Sequence, residues 1–211
     1  MKAHTSETQS SITPEKALQF LKEGNQRFVN NLKINRNLLE QVNDTREGQW
    51  PFATVLSCID SRTSAELIFD QGLGDVFSIR IAGNFANQDI LGSMEFACNV
   101  AGSKLIVVLG HTKCGALKGS LDASAIEPMG MDNLNHLVYH FEPCIQEIIK
   151  EGEERTSKNE DLLERLNICN ITKTIEDIRH QSSTLRNLEK EGKIIIVGAN
   201  YNVETGGVTW L

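Results

Sequence analysis

No stretch of the chain reaches 18 consecutive apolar residues, so nothing reads as a membrane-spanning helix. Lys and Arg never gather into a block, and 21 basic against 28 acidic residues give a formal net charge of −7. That balance opposes any general affinity for nucleic acid. The polar start, Met1 to Glu7, lacks the apolar core of a secretory signal, so a cytoplasmic location is the default expectation. Five cysteines, an odd number at scattered spacings, do not form a disulfide framework. Repeats and low-complexity tracts are absent. Gly110 to Gly115 has the spacing of a phosphate-binding loop, but Ala116 and Leu117 stand where Lys and Ser/Thr are needed. Gly72-Leu73-Gly74 lacks the rest of a dinucleotide fingerprint, and nothing around Ser61 resembles a nucleophile elbow.

What remains is an ordinary globular composition, 40% hydrophobic and 23% charged over 211 residues, which suits one domain spanning 1–211. Residues 1–12 read as a mobile polar segment. Thr13-Pro14-Glu15 supplies an N-cap, a proline for the first helical position and an acid for the first turn. The arm helix that follows, 13–31 at its widest, carries Ala17, Leu18, Leu21 and Phe28. A polar connection over 31–50 leads to a short strand, Phe52–Leu56. Further strands are expected at Val76–Ile79, Lys104–Gly110, Lys193–Gly198 and Val208–Leu211, and helices at 64–69, 88–101, 115–122, 132–151, 159–168 and 171–190. The run Lys104–Gly110 does not alternate, as befits a strand buried on both faces. Strands separated by helices predict an α/β fold: a mostly parallel β-sheet flanked by helices, with an N-terminal helical arm. Ligands bind such sheets at the C-terminal strand ends.

Two cysteine-bearing segments fall at those ends, Cys58-Ile59-Asp60-Ser61-Arg62 and His111-Thr112-Lys113-Cys114. Residues two apart on an extended segment share a side, and residues three apart at a helix start share a face. Cys58 with Asp60, and His111 with Cys114, therefore form two clips able to meet. Two thiolates, an imidazole and a carboxylate suit a tetrahedral Zn²⁺. Arg62 gives Asp60 a second partner, so the same residues allow a closed or an open site. Buried thiol, surface ion pair and helix cap would account for these residues singly, yet not for ligand types coinciding at two strand ends. Cys98, Cys144 and Cys169 read instead as small buried hydrophobes. His136 and His140, four apart on one helix, lack a third ligand and read as a partly exposed face.

The pattern Cys-x-Asp-x-Arg near position 58, followed some fifty residues later by His-x-x-Cys-Gly, resembles the β-class carbonic anhydrases. Ser57–Arg62, Arg80–Asn84, Gly92–Ala97 and Gly110–Gly115 carry the likeness, which extends from the helix near Glu15 to the last strand. The resemblance implies a parallel-dominated α/β sheet, an arm that wraps a partner subunit, and a homodimer or homotetramer with sites near the subunit interface. It implies zinc on Cys58, His111 and Cys114, with water or Asp60 in the fourth position, and Asp60 and Arg62 as the catalytic dyad. It also assigns Gln49, Phe77, Ile81, Phe96 and Gly115 to the substrate pocket, and Val55 to the same apolar wall.

Two departures stand out. A tryptophan three residues before the first cysteine marks the branch that stores regulatory bicarbonate; Val55 is here instead. The plant-like branch often has tyrosine where this chain has Phe96. The implied reaction is reversible hydration of CO₂ to bicarbonate and a proton by zinc-bound hydroxide. Asp60 would accept a hydrogen bond from the nucleophile, and Arg62 would keep Asp60 ionised. Two thiolates neutralise the metal, so bound water should be less acidic than the ~7 of an all-histidine site, and activity should climb above neutral pH. A COS or CS₂ hydrolase on the same scaffold and a non-catalytic zinc-stabilised interaction domain are the alternatives.

Overall fold

A computed structural model describes residues 3–211; the first two residues of the expected mobile segment lie outside them. Five strands, β1 (Ala53–Ser57), β2 (Val76–Arg80), β3 (Leu105–His111), β4 (Ile195–Tyr201) and β5 (Val208–Trp210), form one sheet in the order β2-β1-β3-β4-β5. The first four pair in parallel and β5 runs antiparallel on β4. Every residue of β1 and β3 is buried, which is why neither segment alternates in sequence. Ser57 lies opposite Leu109, so the chain leaves β1 at Cys58 beside the end of β3 at His111. This register is what brings the two sequence clips to one sheet edge.

The helices are α1 (Ser6–Ser10), α2 (Pro14–Val29), α3 (Leu38–Thr45), α4 (Ala65–Ile68), α5 (Gln88–Glu95), α6 (Gly115–Leu121), α7 (Ala123–Ile126), α8 (Asp132–Tyr139), α9 (Glu142–Ile148), α10 (Glu160–Gln181) and α11 (Ser183–Lys190). Helices α2 and α4 cover one face of the sheet. Ala17, Leu21 and Ile68 pack there with Ala53, Val55, Leu105, Val107 and Leu109. Leu21 is fully buried, a contribution of about 2 kcal/mol by transfer alone. Gly24 lets α2 approach closely, since a Cβ there would stand 1.8 Å from the Phe69 carbonyl oxygen. The other face, Leu56, Ile106, Val108 and Ile196, packs under α10 and α11 through Ile171, Ile178 and Leu185.

Several element boundaries differ from expectation. Residues 6–10 of the presumed mobile start are helical, closed by a capping box of Thr5 and Thr8. Gln9 is buried, and its Nε2 donates to the Pro51 and Ala101 carbonyls at 2.7 and 2.8 Å. Helix α3 interrupts the presumed polar connection, started by Asn37, whose side chain accepts from the Glu40 amide. The helix expected over 132–151 is two, because Pro143 occupies the first turn of α9 and cannot continue a helix. Conversely, no break separates 159–168 from 171–190: α10 runs unbroken to Gln181, and Ser182 caps the start of α11. The helix over 88–101 ends in a π-helical turn, Phe96–Val100.

Candidate metal centre

Cys58 follows the last residue of β1, His111 ends β3, and Cys114 caps the start of α6. Between the last two, Lys113 adopts a left-handed conformation (φ 57°), turning the chain so that Cys114 returns toward His111. The three donor atoms lie within 4.8 Å of one another, and the two sulfurs are 3.9 Å apart. All three residues are buried, at 3%, 0% and 1% exposure. Among the described residues they are the only group of three or more His, Cys, Asp or Glu side chains placed to hold a metal.

The histidine decides whether this set fits a metal. Its Nδ1 lies 2.9 Å from the Thr112 carbonyl oxygen, which can only accept, so Nδ1 carries the proton. Nε2 is then a lone pair, buried and without a protein partner. A carbonyl fixing one ring nitrogen while the other stays free is the arrangement of a metal-ligating histidine. The donor set of two sulfurs and one nitrogen matches Zn²⁺ in chemistry. The surroundings of Cys58 favour its thiolate over that of Cys114. The acidity of Cys58 is raised by the Cys114 thiol against the opposing effect of burial, with help from the Gly83 amide, 3.3 Å from Sγ. Cys114 is pushed the other way, by Cys58 and by burial. Gly83 itself is close-packed: it has φ 81°, and a Cβ there would stand 2.3 Å from Phe141.

Asp60 is not in the donor group; its carboxylate is turned to Arg62. Nε donates to Oδ1 at 2.9 Å, Nη2 to Oδ2 at 2.7 Å, and the Arg62 amide to Oδ1 at 2.9 Å. These bonds hold the carboxyl well below the usual carboxylate range, despite partial burial. Arg80, singled out in sequence only as part of a motif, holds this corner together. Its Nε donates to the Cys58 carbonyl at 2.9 Å and its Nη2 to the Asp60 carbonyl at 2.6 Å. Thr63 Oγ1 bonds the same two carbonyls at 3.0 and 2.8 Å.

Cys58 and Asp60 open onto an apolar hollow of about 310 Å³, walled by Ala82, Gly115, Gly119, Ile126, Leu134 and neighbouring residues. Gly115 lines it, with open space where a Cβ would be. From the loop after β2, Ala82 lines the hollow, while Ile81 packs into the core beside it. Val55, expected in the pocket wall, is instead fully buried on the α2 side of the sheet. The pleat explains this, because alternate residues of β1 face opposite sides. Phe77 and Phe96 stand edge to face, 6.4 Å apart, along a separate groove at the β2 edge, and Gln49 is exposed between α3 and β1. None of these three lines the hollow of its own chain. His136 and His140 stay apart from the cluster, with His140 stacked on Phe85 at 3.9 Å.

A parallel α/β sheet with buried Cys, His and Cys donors at adjoining strand ends, beside an Asp held by Arg, is a candidate metal centre of the enzyme type. Residues 53–208 match the family model described as carbonic anhydrase. The carbonic anhydrase of Mycolicibacterium smegmatis is 34% identical over 196 residues, covering 92% of each chain. Carbonic anhydrase 2 of Mycobacterium tuberculosis is 33% identical over 197 residues, covering 93% of this chain and 92% of its own. Among solved structures, the β-carbonic anhydrase CcaA matches with a TM-score of 0.71 and 28% identity, over 92% of this chain and 86% of that one. The chain belongs to the β-carbonic anhydrase family.

Proposed function

We propose that the chain catalyses the zinc-dependent, reversible hydration of CO₂ to bicarbonate and a proton. The observation that carries this reading is the unpartnered His111 Nε2, buried among two cysteine sulfurs and adjoining a carboxylate at the mouth of an apolar hollow. Cys58, His111 and Cys114 would hold the metal. When bound there, Zn²⁺ supplies the Lewis acidity that makes water a nucleophile near neutral pH. The remaining work falls to the chain. Asp60, kept ionised by Arg62, accepts a hydrogen bond and orients the nucleophile. The hollow excludes water and admits a small apolar gas, and Arg80 and Thr63 keep the Cys58–Asp60 corner rigid.

Gln49, Phe77 and Phe96 fit this reading through a homodimer. The β2 edge is unpaired, and beside it Phe96 is 54% exposed and Val100 70%. Paired through this edge, one subunit would bring these three residues toward the hollow of the other. The substrate is a small molecule, and no helix among the described residues is long and apolar enough to cross a membrane. Five unpaired cysteines suit a reducing, cytoplasmic setting.

Stopped-flow CO₂ hydration, before and after metal removal and with Zn²⁺ restored, tests the proposal. The rate should vanish with the metal and return with it. Zinc binding without any hydration rate would favour the non-catalytic domain, and faster turnover of COS or CS₂ run in parallel would favour the related hydrolase.

A further inference from the structure

The turn between β4 and β5, residues 202–207, reaches back to the two residues that separate His111 from Cys114. Thr112 meets it first. Its amide donates to the Tyr201 carbonyl at 2.9 Å, continuing the pairing that sets His111 opposite Tyr201. Its Oγ1 accepts from the Val203 amide at 3.1 Å, and its carbonyl accepts from His111 Nδ1 at 2.9 Å. Lys113 follows in the left-handed region, with its ammonium paired to Glu204 of the same turn. A non-glycine residue stays in that region only where its surroundings over-determine it.

The turn is itself held at both ends. Asn202 Oδ1 accepts from the Glu204 and Thr205 amides at 2.8 and 3.1 Å, which shapes its start. Its end is tied to the arm helix by Asn25 of α2, which is only 3% exposed. Asn25 Nδ2 donates to the Gly206 carbonyl at 2.9 Å and to the Ile68 carbonyl at 3.2 Å. Its Oδ1 accepts from the Val208 amide at 3.0 Å. A continuous set of hydrogen bonds therefore runs from α2 through the turn to the residues between two metal ligands.

We propose that this turn, anchored by Asn25, is a brace for the metal centre, with Thr112 as the positioning residue that transmits it. The inference deepens the zinc reading above and rests on it. The Thr112 hydroxyl is what separates a brace from an ordinary strand connection. Pairing of β3 with β4 uses only the Thr112 backbone, so a side chain without a hydroxyl would serve the sheet equally well. The Oγ1 bond instead fixes Val203 against the ligand loop. Through it, the carbonyl that orients His111 and the left-handed residue that returns Cys114 are held in place before a metal arrives. Partners of this kind, one bond removed from the ligands, slow the loss of a bound metal.

The test is zinc release from the loaded full chain into excess chelator, followed with a colorimetric zinc indicator. Thr112→Val, which removes the acceptor and keeps the shape, should release zinc on the order of tenfold faster. Thr112→Ser, which restores the hydroxyl, should return to the wild-type rate. With Co²⁺ in place of zinc, the visible bands report ligand geometry, and they should change in Thr112→Val but not in Thr112→Ser. Asn202→Ala, which loosens the turn without touching Thr112, should speed release by a smaller factor. Leu185→Ala, a core change on the α11 face, shows what lost stability alone does to release. Thr112→Val releasing zinc no faster than Leu185→Ala, with unchanged Co²⁺ bands, would overturn the brace. Should Thr112→Val fail to fold, Asn202→Ala decides, and release at the wild-type rate would overturn it equally. A wild-type chain that takes up no zinc would instead overturn the zinc reading itself.

Discussion

Cys58 is as deeply buried as Cys98 and Cys144, yet its thiol is pulled toward the thiolate while theirs are held as thiols. At the metal centre, the neighbouring thiol and the Gly83 amide converge on Cys58 and favour its thiolate. In the core, burial dominates. It pushes Cys98 up to about 12, and it raises Cys144 as well, with the facing Cys169 thiol adding to the effect. Cys144 and Cys169 resemble a ligand pair, but no third donor joins them among the described residues. The contrast teaches that depth alone does not make a cysteine inert. What matters is whether polar groups are aimed at the sulfur, and the strand ends supply them because backbone amides there are no longer used by the sheet.

The sharpest way to break this contrast is to remove one donor from each set. Cys114→Ser should lose zinc and reduce CO₂ hydration by well over the 10–100-fold typical of changes to a ligand's supporting partners. Cys144→Ala should keep full metal content and rate. Metal analysis and stopped-flow assays on both variants check this, and a zinc-loaded, active Cys114→Ser protein would erase the distinction. Next in size is Arg62→Ala, which frees Asp60 to swing onto the metal. Zinc should be retained while turnover falls roughly 10²-fold, the scale of one lost electrostatic anchor. Near wild-type turnover with zinc bound would end the gating role of Arg62.

Thiol labelling sharpens the comparison without any substitution. After chelation at pH 8, iodoacetamide should modify Cys58 first and leave Cys98 and Cys144 unlabelled in the folded protein. The sign follows from the shifts: a thiol pushed to about 12 carries almost no thiolate at pH 8, whereas one pulled below its ordinary value is largely ionised. Mass spectrometry of the peptides reads the order directly.

Much of the metal centre was legible in sequence because its ligands sit in two short segments, each at the end of an apolar run that had to be a buried strand. Local spacing sufficed for Cys58 with Asp60 and for His111 with Cys114, and the likeness to the family joined them. The wall of the hollow was not legible in the same way. Ala82 rather than Ile81 faces it, a one-residue difference that turns on the exact path of the loop after β2. Ile126 and Leu134 reach it from a segment whose apolar residues look like any helix face. Arg80 acts through backbone carbonyls, which leave no mark in the sequence. The helical start at Ser6–Ser10 was hidden too, since its anchor is the contact of Gln9 with carbonyls 42 and 92 residues away.

The smallest expected effect belongs to Cys98→Ala, and it tests the core half of the contrast most directly. Cys98 is 6% exposed, at the π-helical turn, packed with Leu56, Met94, Ile106 and Val108. Its polar neighbours Thr54 and Ser103 bond each other at 3.0 Å, so deleting the thiol strands neither hydroxyl. Packing and the weak bonds of the thiol to these two hydroxyls are lost, a cost of about 1 kcal/mol and so a fall of roughly 2–4 °C in thermal midpoint for a chain of this size. Zinc content and turnover should not change, because Cys98 packs under α10 and α11 while the metal ligands cluster around α6 and α9. Calorimetry beside an activity assay separates the two readouts. A stable Cys98→Ala protein that had lost activity would mean that the buried thiol is coupled to the centre, and that burial alone does not describe it.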